Sequence, residues 1–378
     1  MISAEVIWNS GQDARFAETW ADLDAIGLCE PNTSLEWTHA LLSTHVKGSD
    51  VVFVVVLRSA GQVVGIVPGI IRREYVAGTL AINAMYPLCD LTTFHSDILR
   101  TSDQAGLVAA FMGAMVALPR RWDILRFGRL LESGSIALQF ANYLAGSGLA
   151  YRIRREQPSY FLGLGETYEQ FLKGRSAKFR NHLRRKSRQL AAAGRLQVLR
   201  AGLNLGVEQA YRHLLTIEER SWKHAHGTAI SAAPHQREFY RLLCDGSSDR
   251  GRLHLMLMYL DDTPIAYNLG ITAADRYSYL KTSFDEGLRR FSPATVLRAR
   301  LVEALIAEGV RSLDFPAEPY QWEEQWADTL RWHVSVLVFN RTPRALLYRI
   351  LVRMRDVWRR SPDGRVVEYT DPRSQGNA

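Results

Sequence analysis

Cysteine is scarce in this chain of 378 residues, and what there is does not pair by pattern. Cys29, Cys89 and Cys244 are widely separated, odd in number and without a Cys-x-x-Cys spacing. That excludes a zinc ribbon and a disulfide framework, and it suits a reducing cytoplasm. Long apolar runs are also missing. The longest, such as Val51–Leu57, fall far short of the roughly 20 residues that span a bilayer, so they read as buried strands. Residues 1–20 carry no basic segment followed by an apolar one, so no signal peptide is expected. Several catalytic signatures are absent: the phosphate loop Gly-x-x-x-x-Gly-Lys, the Gly-x-Ser-x-Gly elbow and the His-Glu-x-x-His pair. His224 and His226 stand two apart with no acidic or thiol set around them, and read as ordinary turn residues. The carboxylate doublets Glu218-Glu219 and Glu323-Glu324 are adjacent, so on a helix they diverge and form no glycosidase pair.

Positive charge is what the chain has in excess. A net charge of +8 favours anionic partners such as a phosphorylated metabolite, a nucleic acid or an anionic membrane surface. The length exceeds what one hydrophobic core supports, so two domains are expected. An internal echo supports this. In the front half, Val51–Leu57 and Val63–Arg72 read as a hairpin. Thr101–Asp103 reads as an N-cap opening a helix to Leu118, and Trp122–Phe127 as a strand. In the back half, Arg252–Leu260, Ile265–Thr272 and Arg276–Thr282 read as strands. Ser292-Pro293 then opens a helix, with Ser as N-cap and Pro at the first helical position. Gly309 closes that helix and Val310–Phe315 follows as a strand. The two copies are offset by about 190 residues. Ser335–Asn340 reads as a last strand of the back half.

Between the copies, Phe171–Arg195 reads as one amphipathic basic helix. Leu172, Phe179, Leu183 and Leu190 form its apolar side, and Lys178, Arg180, Arg184, Arg185 and Arg188 lie elsewhere on it. Two further helices are expected over 207–223 and 234–244. Residues 345–360 read as an amphipathic helix that packs on the body or touches a membrane surface. The stretch from Ser361 reads as a frayed tail. The expected domains are 1–160, 161–345 and a terminal helix with tail over 346–378.

A group of short stretches carries a family resemblance. They are Arg180-Asn181-His182-Leu183-Arg184-Arg185, Glu219-Arg220-Ser221-Trp222-Lys223, Pro264-Ile265-Ala266, Lys281-Thr282-Ser283-Phe284-Asp285, Ser292-Pro293 with Leu297, Leu313-Asp314-Phe315, Tyr320 and Trp326. Over about residues 160–345 the chain resembles the GNAT acyltransferase superfamily. Within it, the chain resembles the bacterial CelD/BcsL-like acetyltransferases linked to exopolysaccharide synthesis. The front half resembles the degenerate first domain of those proteins, and the FemABX peptidyltransferases share the tandem arrangement. The resemblance implies an α/β (α+β) fold of two GNAT-like domains, each a mixed sheet flanked by helices. Two positions depart from the family pattern. Ser292 stands where the pyrophosphate loop usually has its central glycine, and Gln321 stands where a lysine usually follows the tyrosine.

The chemistry that follows is acyl transfer from acetyl-CoA, another acyl-CoA or an acyl carrier protein thioester. The acceptor is an amine or hydroxyl of a sugar, a polysaccharide precursor or another small metabolite. No metal is expected. Arg289, Arg290, Ser292, Pro293, Ala294 and Thr295 are the candidate pyrophosphate site, because a helix N-terminus offers N–H groups and positive charge. Asp285, with Glu219 as its rival, is the candidate base for proton removal from the acceptor, and Lys281 is a further candidate catalytic residue. Tyr320 could protonate the leaving thiolate. Arg180, Arg184, Arg185 and Trp222 are the candidate acceptor contacts. Two other readings stay open. One is a FemABX-like transferase using aminoacyl-tRNA. The other is a non-catalytic nucleic-acid-binding or scaffold protein with a decayed core. The basic helix has only Phe171 and Phe179 as aromatics, both on its apolar side, so base stacking is poorly served. The chemistry is placed in the back half because Asp103, at the expected front-half cap, would repel a pyrophosphate.

Overall fold

The computed structural model describes residues 2–8, 20, 31–91, 95–118, 121–316, 320–358 and 366–367. In chain order it begins with β1 (Ile2–Trp8), α1 (Leu35–Thr44), β2 (Val51–Ser59), β3 (Gln62–Val76) and β4 (Leu80–Pro87). It continues with β5 (Leu99–Arg100), α2 (Leu107–Val116), β6 (Ile124–Leu131), α3 (Ser135–Ser147) and β7 (Ala150–Arg155). Next come β8 (Ser159–Gly163), α4 (Tyr168–Lys173), α5 (Ala177–Ala191), β9 (Leu196–Arg200), α6 (Val207–Glu219), α7 (Trp222–Ala225) and α8 (Pro234–Asp249). Then follow β10 (Leu253–Leu260), β11 (Thr263–Ala273), β12 (Arg276–Phe284), α9 (Pro293–Ala307), β13 (Ser312–Asp314) and β14 (Thr329–Arg331). The chain closes with β15 (His333–Phe339), α10 (Pro343–Trp358) and β16 (Val366–Val367).

Two compact units result, one of residues 1–158 with 331–378 and one of residues 159–330. The first sheet runs β1-β2-β3-β4-β6-β15-β7-β16, with β5 on β3, and the second runs β14-β8-β13-β12-β11-β10-β9. The echo in the sequence is real at this level. Each sheet contains an antiparallel four-strand meander, a helix, and then a strand parallel to the fourth: β6 beside β4, and β13 beside β12. The β-branched and aliphatic runs explain the strands. Val54, Val55, Val56 and Leu57 are all buried, as are seven consecutive residues of β10, so both faces are covered.

Several expectations need correction. Residues 333–339 do not belong to the second sheet. They pair antiparallel with β6 on one side and β7 on the other, inside the first sheet. The front-half helix does not open at Thr101–Asp103 but at Leu107, with Gly106 at φ 92 as its N-cap. Asp103 instead receives bonds from Arg100 at 2.7 Å and Ser135 at 2.6 Å. The basic helix is broken in two, because Gly174 ends α4 and the Ser176 side chain starts α5 by accepting from the Phe179 N–H at 3.1 Å. The helix over 207–223 breaks at Arg220. The tail from Ser361 lies outside the described residues, apart from β16.

One irregularity orients the second sheet's side chains. Opposite Gly270 and Leu269 of β11, strand β12 presents Tyr279 and Lys281, with Leu280 as the extra residue of a bulge. Tyr279 therefore packs with Val296 and Leu297 of α9. Lys281 points to the opposite face, where its ammonium lies 5.6 Å from the Tyr240 ring of α8. Gly270 has no room for a side chain, since a Cβ there would meet the Tyr277 ring at 2.2 Å and the Ser278 carbonyl at 2.5 Å.

Candidate active site

The second sheet contains a short parallel pair. Arg276, Tyr277 and Ser278 of β12 face Ser312, Leu313 and Asp314 of β13. Beyond them β12 continues to Phe284 with β11 as its only partner among the described strands, while the Phe315 N–H turns to the Tyr160 carbonyl at 3.1 Å. The two strands thus part at Tyr279 and Phe315. Among the described residues, that stretch of the β12 edge has no strand partner on the β13 side, so its backbone N–H and C=O groups are open there.

On the α9 side, aromatic and charged side chains gather where the strands part. Tyr279 contacts Phe315 and Trp322 at ring separations of 5.4 and 6.0 Å. The buried Arg298 guanidinium lies 3.7 Å from the Trp322 ring centroid and donates to the Tyr279 hydroxyl at 3.2 Å. Tyr279 in turn donates to Asn268 Oδ1, which also accepts from Thr282 at 2.9 Å. Glu323 is fully buried. One of its oxygens accepts from the Tyr320 N–H at 3.1 Å, and the other has no hydrogen-bond partner. Burial pushes this carboxyl up to about 7, against the pull of the Tyr320 N–H and Arg298. The exposed Tyr320 stacks on Trp322 with centroids 6.3 Å apart.

At the N-terminus of α9, Ser292 departs from the expected cap. Its backbone is left-handed, φ 52 and ψ 52, and its side chain caps nothing. The serine adopts the conformation for which glycine is the usual choice. Its carbonyl takes the N–H groups of Thr295 and Val296 at 3.0 and 3.2 Å, and Pro293 has none. Ala294 is left with the one unpartnered N–H of the first turn among the described residues. Positive charge surrounds it. Lys186 of α5 donates to the Arg290 carbonyl, Arg290 is exposed beside Phe291, and Arg289 pairs with Glu286 at 2.7 Å. Burial, aided by the nearby Lys186 and Arg185, lowers the His182 pKa.

Across the sheet, around Lys281, lies a buried polar cluster. Glu218 at the end of α6 is fully buried. It accepts from the Tyr267 hydroxyl at 2.5 Å, from Lys223 Nζ at 3.2 Å and from the Ile230 N–H. Burial, aided by Lys281, lowers Lys223 to about 8 although Glu218 opposes the shift. Burial lowers Lys281 as well, again against Glu218. Lys223 is therefore partly neutral near physiological pH, and a lysine held below its usual range is the better proton acceptor.

The remaining sequence candidates fall in different places. Glu219 is exposed, and its neighbour Glu218 is the buried carboxylate. Asp285 is engaged locally, accepting from the Gly287 N–H at 2.9 Å and pairing with Arg220 at 3.8 Å. Arg180 donates to the carbonyls of Leu172, Lys173 and Arg175, tying α5 to the end of α4. Arg184 and Arg185 are exposed. Trp222 is exposed with its ring edge-on to His226 at 5.5 Å. Glu218, Lys223, Tyr267, Arg298, Trp322 and Glu323 were not among the sequence candidates.

Comparison with known proteins bears on the fold. The structure is similar to that of FemX, with a TM-score of 0.62 and 12% identity over 92% of this chain and 99% of that one. It is similar to the C-terminal domain of a putative lysylphosphatidylglycerol synthetase from Agrobacterium fabrum, with a TM-score of 0.54 and 12% identity over 90% and 96%. It is also similar to L-PGS from Bacillus licheniformis, with a TM-score of 0.53 and 10% identity over 91% and 97%. No curated protein matches the sequence. The chain is therefore an α/β protein of two sheet-and-helix units, and its residues 177–324 match the family model of the acetyltransferase (GNAT) domain.

Proposed function

We propose that the protein transfers an acyl group from a thioester, acetyl-CoA or another acyl-CoA or an acyl carrier protein, to an amine or hydroxyl of a sugar, polysaccharide precursor or small metabolite. The parting of β12 and β13 beside the N-terminus of α9 carries this reading. The free edge of β12 offers backbone N–H groups to a carbonyl oxygen that gains charge in the transition state. The Ala294 N–H, the Thr295 hydroxyl, Lys186 and Arg290 would hold the pyrophosphate of the coenzyme. The left-handed Ser292 supplies the bend for which the family uses glycine, so these residues fit that group.

On the opposite face of β12, Lys281 stands beside Lys223 and Glu218 and takes the proton that the acceptor loses on attack. The new C–N or C–O bond forms at the carbonyl carbon as the C–S bond breaks. The thiolate then takes a proton, for which Tyr320, stacked on Trp322, is the candidate donor. Asp285 and Glu219 remain secondary candidates as bases. Arg184, Arg185 and Trp222 are the candidate acceptor contacts.

A second reading, transfer from aminoacyl-tRNA, draws support from the exposed Arg184, Arg185 and Arg188 along α5 and from the likeness of fold to FemX. Calorimetric titration separates the two. Micromolar binding of acetyl-CoA or a longer acyl-CoA, abolished by Lys186→Ala with Arg290→Ala, is expected. Absence of binding to every thioester, acyl carrier protein included, overturns the first reading. Salt-steep binding of charged tRNA would favour the second.

A further inference from the structure

Helix α10 is amphipathic in an unusual sense, because its most apolar face looks outward. Ala345, Tyr348 and Val352 are buried, and they hold the helix on the first sheet. Tyr348 packs against Phe339 at 6.1 Å and accepts from Arg126 at 2.6 Å. Arg126 also donates to the Tyr86 hydroxyl at 2.6 Å and pairs with Glu74, so the inner face is pinned by a polar network as well as by packing. On the outer face, Leu346, Leu347, Ile350, Leu351 and Met354 are between 36% and 56% exposed. They recur at i, i+1, i+4, i+5 and i+8, which is one continuous stripe at about 100° per residue. Scattered exposed leucines need no explanation, but five on one stripe do.

The charges sit where the stripe ends. By helical position, Arg344 lies along one border of the stripe and Arg349 and Arg353 lie along the other. A convex apolar ridge bordered by cations on both sides fits a surface that is apolar inside and anionic at its rim. We infer that α10 docks on an anionic lipid surface, with the Leu346–Met354 stripe entering the acyl boundary and the arginines at the level of the phosphates. The chain's charge of +8 adds long-range attraction to the same surface. No described helix is long and apolar enough to cross a membrane, so α10 lies on the surface rather than through it. This inference does not depend on the identity of the reaction.

Sedimentation of the full chain with phosphatidylcholine vesicles, with and without about one-third phosphatidylglycerol, tests it. Binding is expected only with phosphatidylglycerol, and added salt should weaken it. Leu347→Ser combined with Ile350→Ser should lower the partition coefficient about 20-fold. Arg344→Gln combined with Arg353→Gln should remove most of the preference for anionic lipid. These side chains point away from the body, so melting curves of the variants should match the parent. Equal binding to both vesicle types overturns the inference. So does undiminished binding by the Leu347/Ile350 variant. If sedimentation velocity shows a dimer that this variant dissociates, and vesicles bind neither protein, the face is covered by a second copy and the inference fails.

Discussion

Replacing Lys223 by Met should remove a rise of stability with pH, and the structure sets its size. In the unfolded chain a lysine titrates near 10.4. In the fold, burial and the nearby Lys281 lower Lys223 to about 8 even though Glu218 lies 3.2 Å away. A depressed lysine means that the unfolded state binds more protons than the native state between those two values. Stability therefore rises with pH across that window. From about pH 7.5 to about pH 9.5 the gain amounts to about 2 kcal/mol. The buried tyrosines Tyr240 and Tyr267, pushed up chiefly by burial, act the other way only at higher pH and are common to both proteins. The assay is urea unfolding of parent and Lys223→Met across this range, read as a difference. Removing Lys223 also leaves Glu218 with one donor fewer, so the variant is expected to be the less stable throughout. Its deficit should be smallest near neutrality and grow toward about pH 9.5. A deficit that stays constant or shrinks refutes the assignment of Lys223 as a buried lysine with a lowered pKa.

Three further outcomes are expected. Gly270→Ala should destabilise the protein by at least about 2 kcal/mol, because the Cβ collides with Tyr277 and with the backbone of β12; denaturant midpoints will show it. Glu323→Gln should stabilise the protein at about pH 8, where the parent must ionise a buried carboxyl raised to about 7. The advantage should fade toward about pH 5, because a raised acid is most stabilising when protonated, and Trp322 and Trp326 provide the fluorescence signal. Lys281→Met should lower turnover by about 100-fold or more with little change in acyl-CoA affinity, once an acceptor is in hand. Equal losses in turnover and donor affinity would place Lys281 on the donor side of β12 instead.

The repeat was legible because it is written in short-range patterns. Apolar runs at Val51–Leu57 and Arg252–Leu260 read as strands wherever they lie, and Gly309, at φ 77, ends its helix as expected. Partnership across long sequence distances was not legible. His333–Phe339 has the composition of any buried strand, and nothing local assigns it to β6 and β7 rather than to the sheet just completed. Ser292 and Asp103 misled for a related reason. A hydroxyl or carboxylate before a helix suggests a cap, yet Asp103 finds Arg100 and Ser135 first, and Ser292 uses its backbone rather than its side chain. The carboxylate doublets were read correctly as divergent. In each, the first residue is buried and the second exposed. Which one would be buried depends on Tyr267, Lys223 and Tyr320, and the sequence places only Lys223 and Tyr320 within a few residues.

The position of β15 also bears on how the chain can be made. A ribosome delivers the N-terminal residues first, but the strand between β6 and β7 arrives only after residue 333 has emerged. Until then β6 and β7 have no strand between them, and each presents a bare edge able to pair with another chain. Residues 159–331 contain every described strand of the second sheet, all of them ahead of β15, so that sheet can close first. Folding during synthesis should therefore run from the middle of the chain outward. A chain stopped just after β14, at residue 331, should yield a sound second sheet joined to an aggregation-prone first one.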